Sequence, residues 1–220
     1  MEQSFRQILH SSIQALDGED GSLDDLLFDD NKWFIRYLVI KTKGLLKHDR
    51  VVISPTGVDE IDWKNKKIKI YLTKNKIITA PKIDSAEPVF KQMEKKFFDF
   101  YNWPYYWDDM GVWGIDPRST VSLVDKDILP PKGDPHLRSC RIVGHYNVEL
   151  EGKRIGEVED ILIEEKDLTI KSFLITSGHW PRIHHSTISV NSIDSIHWAT
   201  RSIRLRPSVK DFESQSSIIL

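Results

Sequence analysis

The chain has 220 residues, with 31 Lys+Arg against 33 Asp+Glu, a formal net charge of -2, and 40% hydrophobic residues including Trp 7. Its aromatic content and near-neutral balance exclude a disordered chain, and the lack of a basic excess argues against a dedicated nucleic-acid binder. No run approaches the roughly 18 consecutive apolar residues of a membrane-spanning helix, the opening MEQSFRQILHSS lacks a signal-peptide pattern, and the single cysteine, Cys140, fits a reducing compartment, so the expected location is cytoplasmic.

Short apolar runs rich in β-branched and aromatic residues predict about six strands near 13–17, 22–29, 33–42, 50–54, 57–63 and 66–72. Between them lie turn signals: DGEDG from Asp17, DDNK from Asp29, and DWKNKKI from Asp62 with Lys64-Asn65 at its tip. KIKIYL from Lys67 alternates, with Ile68, Ile70 and Leu72 on one face. A connector at 83–135 follows. In it Phe90, Met93, Phe97 and Tyr101 form one helical stripe, closed by Pro104. Trp103, Tyr105, Tyr106, Trp107 and Trp113 come next. A flexible spacer would be Gly/Ser-rich; this one must bury its rings, either by fixing two domains together or by docking a partner.

Beyond the connector the pattern returns at an offset of 135. GSLDDLLFDDNKWFIRYLVIKT from Gly21 matches GEVEDILIEEKDLTIKSFLITS from Gly156, and the register runs on through ISPTGVDEIDW and ISVNSIDSIHW. Gly21/Gly156, Asp25/Asp160, Ser54/Ser189 and Trp63/Trp198 are identical pairs. Upstream, LDGEDG matches LEGKRIG with one residue inserted. Second-copy strands are expected near 143–150, 155–164, 168–177, 185–190, 193–198 and 201–206. Six strands left as a flat sheet expose two edges and one face, so each copy is expected to close into a small barrel with Trp63 or Trp198 as a core or mouth plug. The organisation is a first unit at 1–82, the connector at 83–135, a second unit at 136–212 and a flexible tail at 213–220.

These residues resemble the PRC-barrel superfamily, named for the cytoplasmic domain of the photosynthetic reaction-centre H subunit. The shared pattern stands here as Gly21, Asp25, Asp29, Trp33, Ile35, Arg36, Tyr37, Leu38 and Val39, with Ile53-Ser54-Pro55 beyond. The second copy departs from it at Leu168 and Val190. The aromatic connector is similar to the linker of two-barrel bacterial proteins of that family. The resemblance implies an all-β protein of two six-stranded PRC-type barrels. It also implies a barrel that positions partners rather than catalysing, whether in an H-subunit-like membrane or electron-transfer assembly or, as the alternative, in ribosome maturation.

Three clusters invite chemistry. Asp24, Asp25, Asp29 and Asp30, echoed by Glu157, Glu159, Asp160, Glu164 and Glu165, suggest a cation site or a carboxylate pair. Asp25 and Asp29, however, sit about 13 Å apart along a strand, so Asp29-Asp30 read as turn residues and Asp25/Asp160 as acceptors for backbone or Arg groups. His179, His184 and His185 suggest a metal or small-ligand loop, against the simpler reading of a solvated polar loop and the third of a pH-sensitive surface. KNKKIKIYLTKNK from Lys64 is basic, but lysine on an outer strand is also an edge guard. No P-loop, nucleophile elbow or dinucleotide motif is present, and Cys140 reads as a half-buried thiol ahead of a strand. The expectation is a non-catalytic scaffold or regulatory module with no cofactor. It binds a protein partner through the connector aromatics, with Gly21, Asp25, Trp63, Gly156, Asp160 and Trp198 as structural residues. Self-association is left open.

Overall fold

The computed structural model describes residues 1–43, 50–80, 136–179 and 182–207. The helix expected in the connector, the candidates Trp103, Tyr105, Tyr106, Trp107 and Trp113, and the tail at 213–220 lie outside them. In the first half the elements are β1 (Glu2–Ser4), α1 (Phe5–Ile8), β2 (Ser12–Ala15), β3 (Gly18–Asp29), β4 (Ile35–Lys41), β5 (Arg50–Ile53), β6 (Val58–Asp62), β7 (Lys67–Ile70) and α2 (Lys74–Ile78). In the second half they are β8 (Leu137–Ser139), α3 (Cys140–Val143), β9 (Asn147–Leu150), β10 (Lys153–Glu164), β11 (Ile170–His179), β12 (Arg182–Ser189), β13 (Ile193–His197) and β14 (Ser202–Leu205). The described residues are mostly β, and the helices among them are single turns.

Two seven-stranded sheets carry the fold. One follows the order β5-β4-β3-β2-β7-β6 with β8 beside β3; the other follows β12-β11-β10-β9-β14-β13 with β1 beside β10. The two paths are the same path 135 residues apart, and so are their registers. Leu38 faces Ile53 as Phe173 faces Ile188, and Ser12 faces Lys67 as Asn147 faces Ser202. β7 alternates as its sequence does, with Ile68 and Ile70 buried and Lys67 and Lys69 exposed.

The repeat reaches further upstream than its apolar pattern shows. β1 and β8, and α1 and α3, are also 135 apart. Ser4 Oγ accepts the Gln7 amide at 3.0 Å, and Ser139 Oγ accepts the Ile142 amide at 3.0 Å, so each helical turn has a serine cap at the same place. The inserted residue expected near position 151 is not there. Ala15 pairs with Gly18 and Leu150 with Lys153, so Leu16-Asp17 and Glu151-Gly152 are both two-residue loops.

Packing divides the chain into two compact units, one of Met1–Ile8, Phe28–Ile35 and Arg138–Leu220, the other of Leu9–Leu27 and Arg36–Leu137. The first of these contains two short pieces that precede the second repeat in sequence. β1 pairs antiparallel with β10, Glu2 opposite Glu164 and Ser4 opposite Leu162. The hairpin around Asp29–Phe34 lies against its own repeat partner. The Ile35 amide donates to Leu168 O at 3.0 Å and the Ile170 amide to Trp33 O at 2.6 Å, a reciprocal exchange between positions 135 apart. Trp33 and Leu168 both hold φ above +50° at these turns. Trp33 also stacks on Phe28 at 6.1 Å and meets Phe173 edge-on at 5.9 Å.

Candidate functional site

Each residue marked by the repeat has a local job. A Cβ on Gly21 would stand 2.3 Å from Lys41 O, and one on Gly156 would stand 2.7 Å from Thr176 O. Lys41 and Thr176 are themselves 135 apart, so both glycines let the central strands of a sheet approach to the same backbone carbonyl. Gly21 also holds φ at +83°. Asp25 Oδ1 accepts the Leu26 amide and Asp160 Oδ1 the Ile161 amide, each at 2.8 Å. Asp160 also takes the Ser4 hydroxyl and, at 3.2 Å, the Arg6 amide. That carboxylate ties the N-terminal segment to β10.

Asp29 is a turn residue, accepting the amides of Asn31 at 3.0 Å and Lys32 at 2.9 Å. Asp30 holds Arg138 at 2.7 Å. Ser54 and Ser189, at the ends of β5 and β12, each cap a 3-10 turn by accepting the amide two residues on. Trp63 is 5% exposed, a core residue, whereas Trp198 is 48% exposed, which corrects its expected role as a plug. The two hairpins turn alike, with Lys66 and Arg201 both at positive φ. The difference in burial therefore comes from what covers the ring, not from the turn. Cys140 begins α3 and is fully buried, where a half-buried thiol ahead of a strand was expected.

The histidines do not lie in a solvated loop. His179 ends β11, while His184 and His185 stand in β12 opposite Ser177 and Thr176. Among the described residues no group of three or more His, Cys, Asp or Glu side chains is placed to hold a metal.

One polar cluster joins residues of α1, β10, β11 and β12 that their sequence positions do not bring together. Glu159 Oε2 on β10 receives the Thr176 hydroxyl of β11 at 2.5 Å and faces His185 Nδ1 of β12 at 2.7 Å, while its Oε1 lies 3.7 Å from Arg6 of α1. Burial pushes the Glu159 carboxyl up. The hydrogen bonds from Thr176 and His185, with the charges of His185 and Arg6, outweigh that and hold it below its usual range. Hydroxyl, imidazole and carboxylate are the members of a nucleophilic triad, but the order is wrong for one. Thr176 Oγ1 is 3.5 Å from His185 Nδ1, the same nitrogen that faces Glu159, so hydroxyl and ring converge on one oxygen instead of forming a relay. The arrangement holds charge and ties three strands.

Its counterpart in the first repeat carries the same geometry with different chemistry. Asp24, Lys41 and Arg50 stand at the positions of Glu159, Thr176 and His185, and Arg50 Nε meets Asp24 Oδ2 at 2.6 Å. A signal was present in the sequence: applying the offset of 135 to His185 lands on Arg50, and applying it to Glu159 lands on Asp24. Both copies thus place an acid and a base at fixed separation.

No helix among the described residues is long and apolar enough to cross a membrane. Compared with protein-family models and with curated proteins, the chain matches none.

Proposed function

We propose that the protein is a non-catalytic scaffold or regulatory module of two PRC-type barrels that binds a protein partner in the cytoplasm, in an assembly like that of the reaction-centre H subunit. The observation that carries this reading is the use made of the duplicated polar residues. Asp25, Asp160, Ser54 and Ser189 hold backbone amides, and Asp24 and Glu159 hold the basic residue of a neighbouring strand. Groups employed in this way build a rigid platform, and a platform repeated at one register suits recognition better than turnover. The PRC-type assignment is supported by the motif from Gly21 to Val39 and by one strand order occurring twice. Partner contact is assigned to Trp103, Tyr105, Tyr106, Trp107 and Trp113 because aromatic residues concentrate binding energy at interfaces.

The test is affinity capture from the native host with identification of the bound protein, repeated with Trp103→Ala, Tyr106→Ala and Trp107→Ala. Loss of that protein with unchanged unfolding midpoints is the expected result. Loss of stability with capture unchanged would leave the aromatics with a packing role only.

A further inference from the structure

The hairpins β4–β5 and β11–β12 share four register pairs, ending at Lys41–Arg50 and Thr176–His185. There β4 stops. The second-repeat hairpin continues through Ser177–His184, Gly178–Ile183 and His179–Arg182. The full ladder of eight pairs has no register shift, unlike the β9–β10, β10–β11 and β13–β14 ladders. β12 ends its sheet: β11 is its one strand neighbour among the described residues. No backbone hydrogen bond reaches the segment 182–185 from outside the ladder among those residues.

An open, regular strand is a template for another strand, and proteins guard such edges with lysine, proline or a bulge. This segment has none of the three, and it exposes Ile183 at 48% together with His184 and His185. Charge identifies the visitor. Between Asp167 and Asp194 the sequence contains no Asp or Glu, and the edge segment itself holds Arg182, His184 and His185, in a chain with 33 acidic residues. Glu159, the carboxylate that reaches β12 from β10, is occupied by His185, Thr176 and Arg6.

We propose that the outer edge of β12 over Arg182–His185 is a docking site for an extended acidic peptide of a partner protein. The peptide adds as a further strand, paired by main-chain hydrogen bonds, with its carboxylates toward the basic residues and an apolar side chain over Ile183. This deepens the interaction-module reading, on which it rests, by assigning a second contact away from the connector.

The probe is a labelled peptide, Thr-Glu-Val-Glu-Val-Glu-Thr, titrated into the whole chain by fluorescence anisotropy, with hydrogen exchange read on β12. Expected are saturable binding that weakens with salt, slowed exchange of β12 amides, and an affinity loss of roughly tenfold or more in the double variant Ile183→Glu/His184→Glu. Both substituted residues are exposed, so the variant's unfolding midpoint should match the parent's. Equal binding of the same peptide with Lys for Glu overturns the proposal, as does binding without protection of β12. A decauridine RNA that binds more tightly than the peptide marks a nucleic-acid surface instead. A dimer that the double variant converts to monomer marks a self-association edge. Absence of peptide binding while connector-dependent partner capture persists overturns this inference alone and leaves the module reading standing.

Discussion

Asp24–Arg50 and Glu159–His185 occupy one geometry in two copies of one sheet, at 2.6 Å and 2.7 Å. Arg50 brings a planar guanidinium with several donors to its bridge, whereas His185 brings a single ring nitrogen. Asp24 is buried and Arg50 about a quarter exposed, while Glu159 is about a quarter exposed and His185 half exposed. The first copy therefore has a bridge whose acid is closed off from solvent, and the second a bridge whose base is open to it. One scaffold tolerates both because what it conserves is the distance between strands, set by glycines on the neighbouring strand positions, and not the identity of the ions.

Paired substitutions at equivalent positions test this asymmetry. The largest difference is expected at the tryptophans. Trp63→Ala removes a buried ring and should cost about 3–5 kcal/mol in urea unfolding, while Trp198→Ala should cost less than about 1 kcal/mol. Equal losses would mean that the two hairpins are packed alike. At the glycines, Gly21→Ala forces a side chain into a positive-φ residue and against Lys41 O, and should cost about 2–4 kcal/mol. Gly156→Ala meets only the second problem and should cost about 1 kcal/mol less. Thermal midpoints of the two variants, compared in one buffer, read that order.

Smaller differences follow at the bridges. Arg50→Ala leaves a buried carboxylate without its guanidinium and should cost about 1–3 kcal/mol, against less than about 1 kcal/mol for His185→Ala at an exposed pair. The pH response is the smallest effect. The folded Glu159 carboxyl titrates below its usual value of 4.5, so its contribution is complete above that value and is lost as pH falls through the lower folded value. Glu159→Gln should therefore flatten the stability profile below about pH 4.5 and leave the slope above about pH 5 unchanged. A variant whose acid slope equals the parent's would show that Thr176 and His185 do not favour the ionised form.

Much of the sheet was legible because strand alternation and turn chemistry are local. Ile68 and Ile70 alternating with Lys67 and Lys69, the Asp29 turn and the paired Ser54 and Ser189 caps all act within a few residues. The offset of 135 then carried one copy's pattern onto the other. What local signals missed depends on where the chain goes. β1 and β8 are three-residue strands with no alternation to read, and their caps Ser4 and Ser139 lie ahead of single-turn helices. Nothing in MEQSFRQI says that it pairs with β10. A histidine-rich run reads as a polar loop, yet the β11–β12 ladder takes in His179, His184 and His185. Burial of Trp63 against exposure of Trp198 could not be read at all, since the two residues sit in like turns and differ only in long-range cover.

The central claim is a single sheet register written twice, and cross-strand nuclear Overhauser contacts in the intact labelled chain measure it directly. Contacts are predicted between the paired residues Leu38 and Ile53, Phe173 and Ile188, Ser12 and Lys67, and Asn147 and Ser202. A contact between Gln3 and Ile163 is predicted for the N-terminal strand. A slip of one residue in either copy, or Gln3 found away from β10, would contradict it.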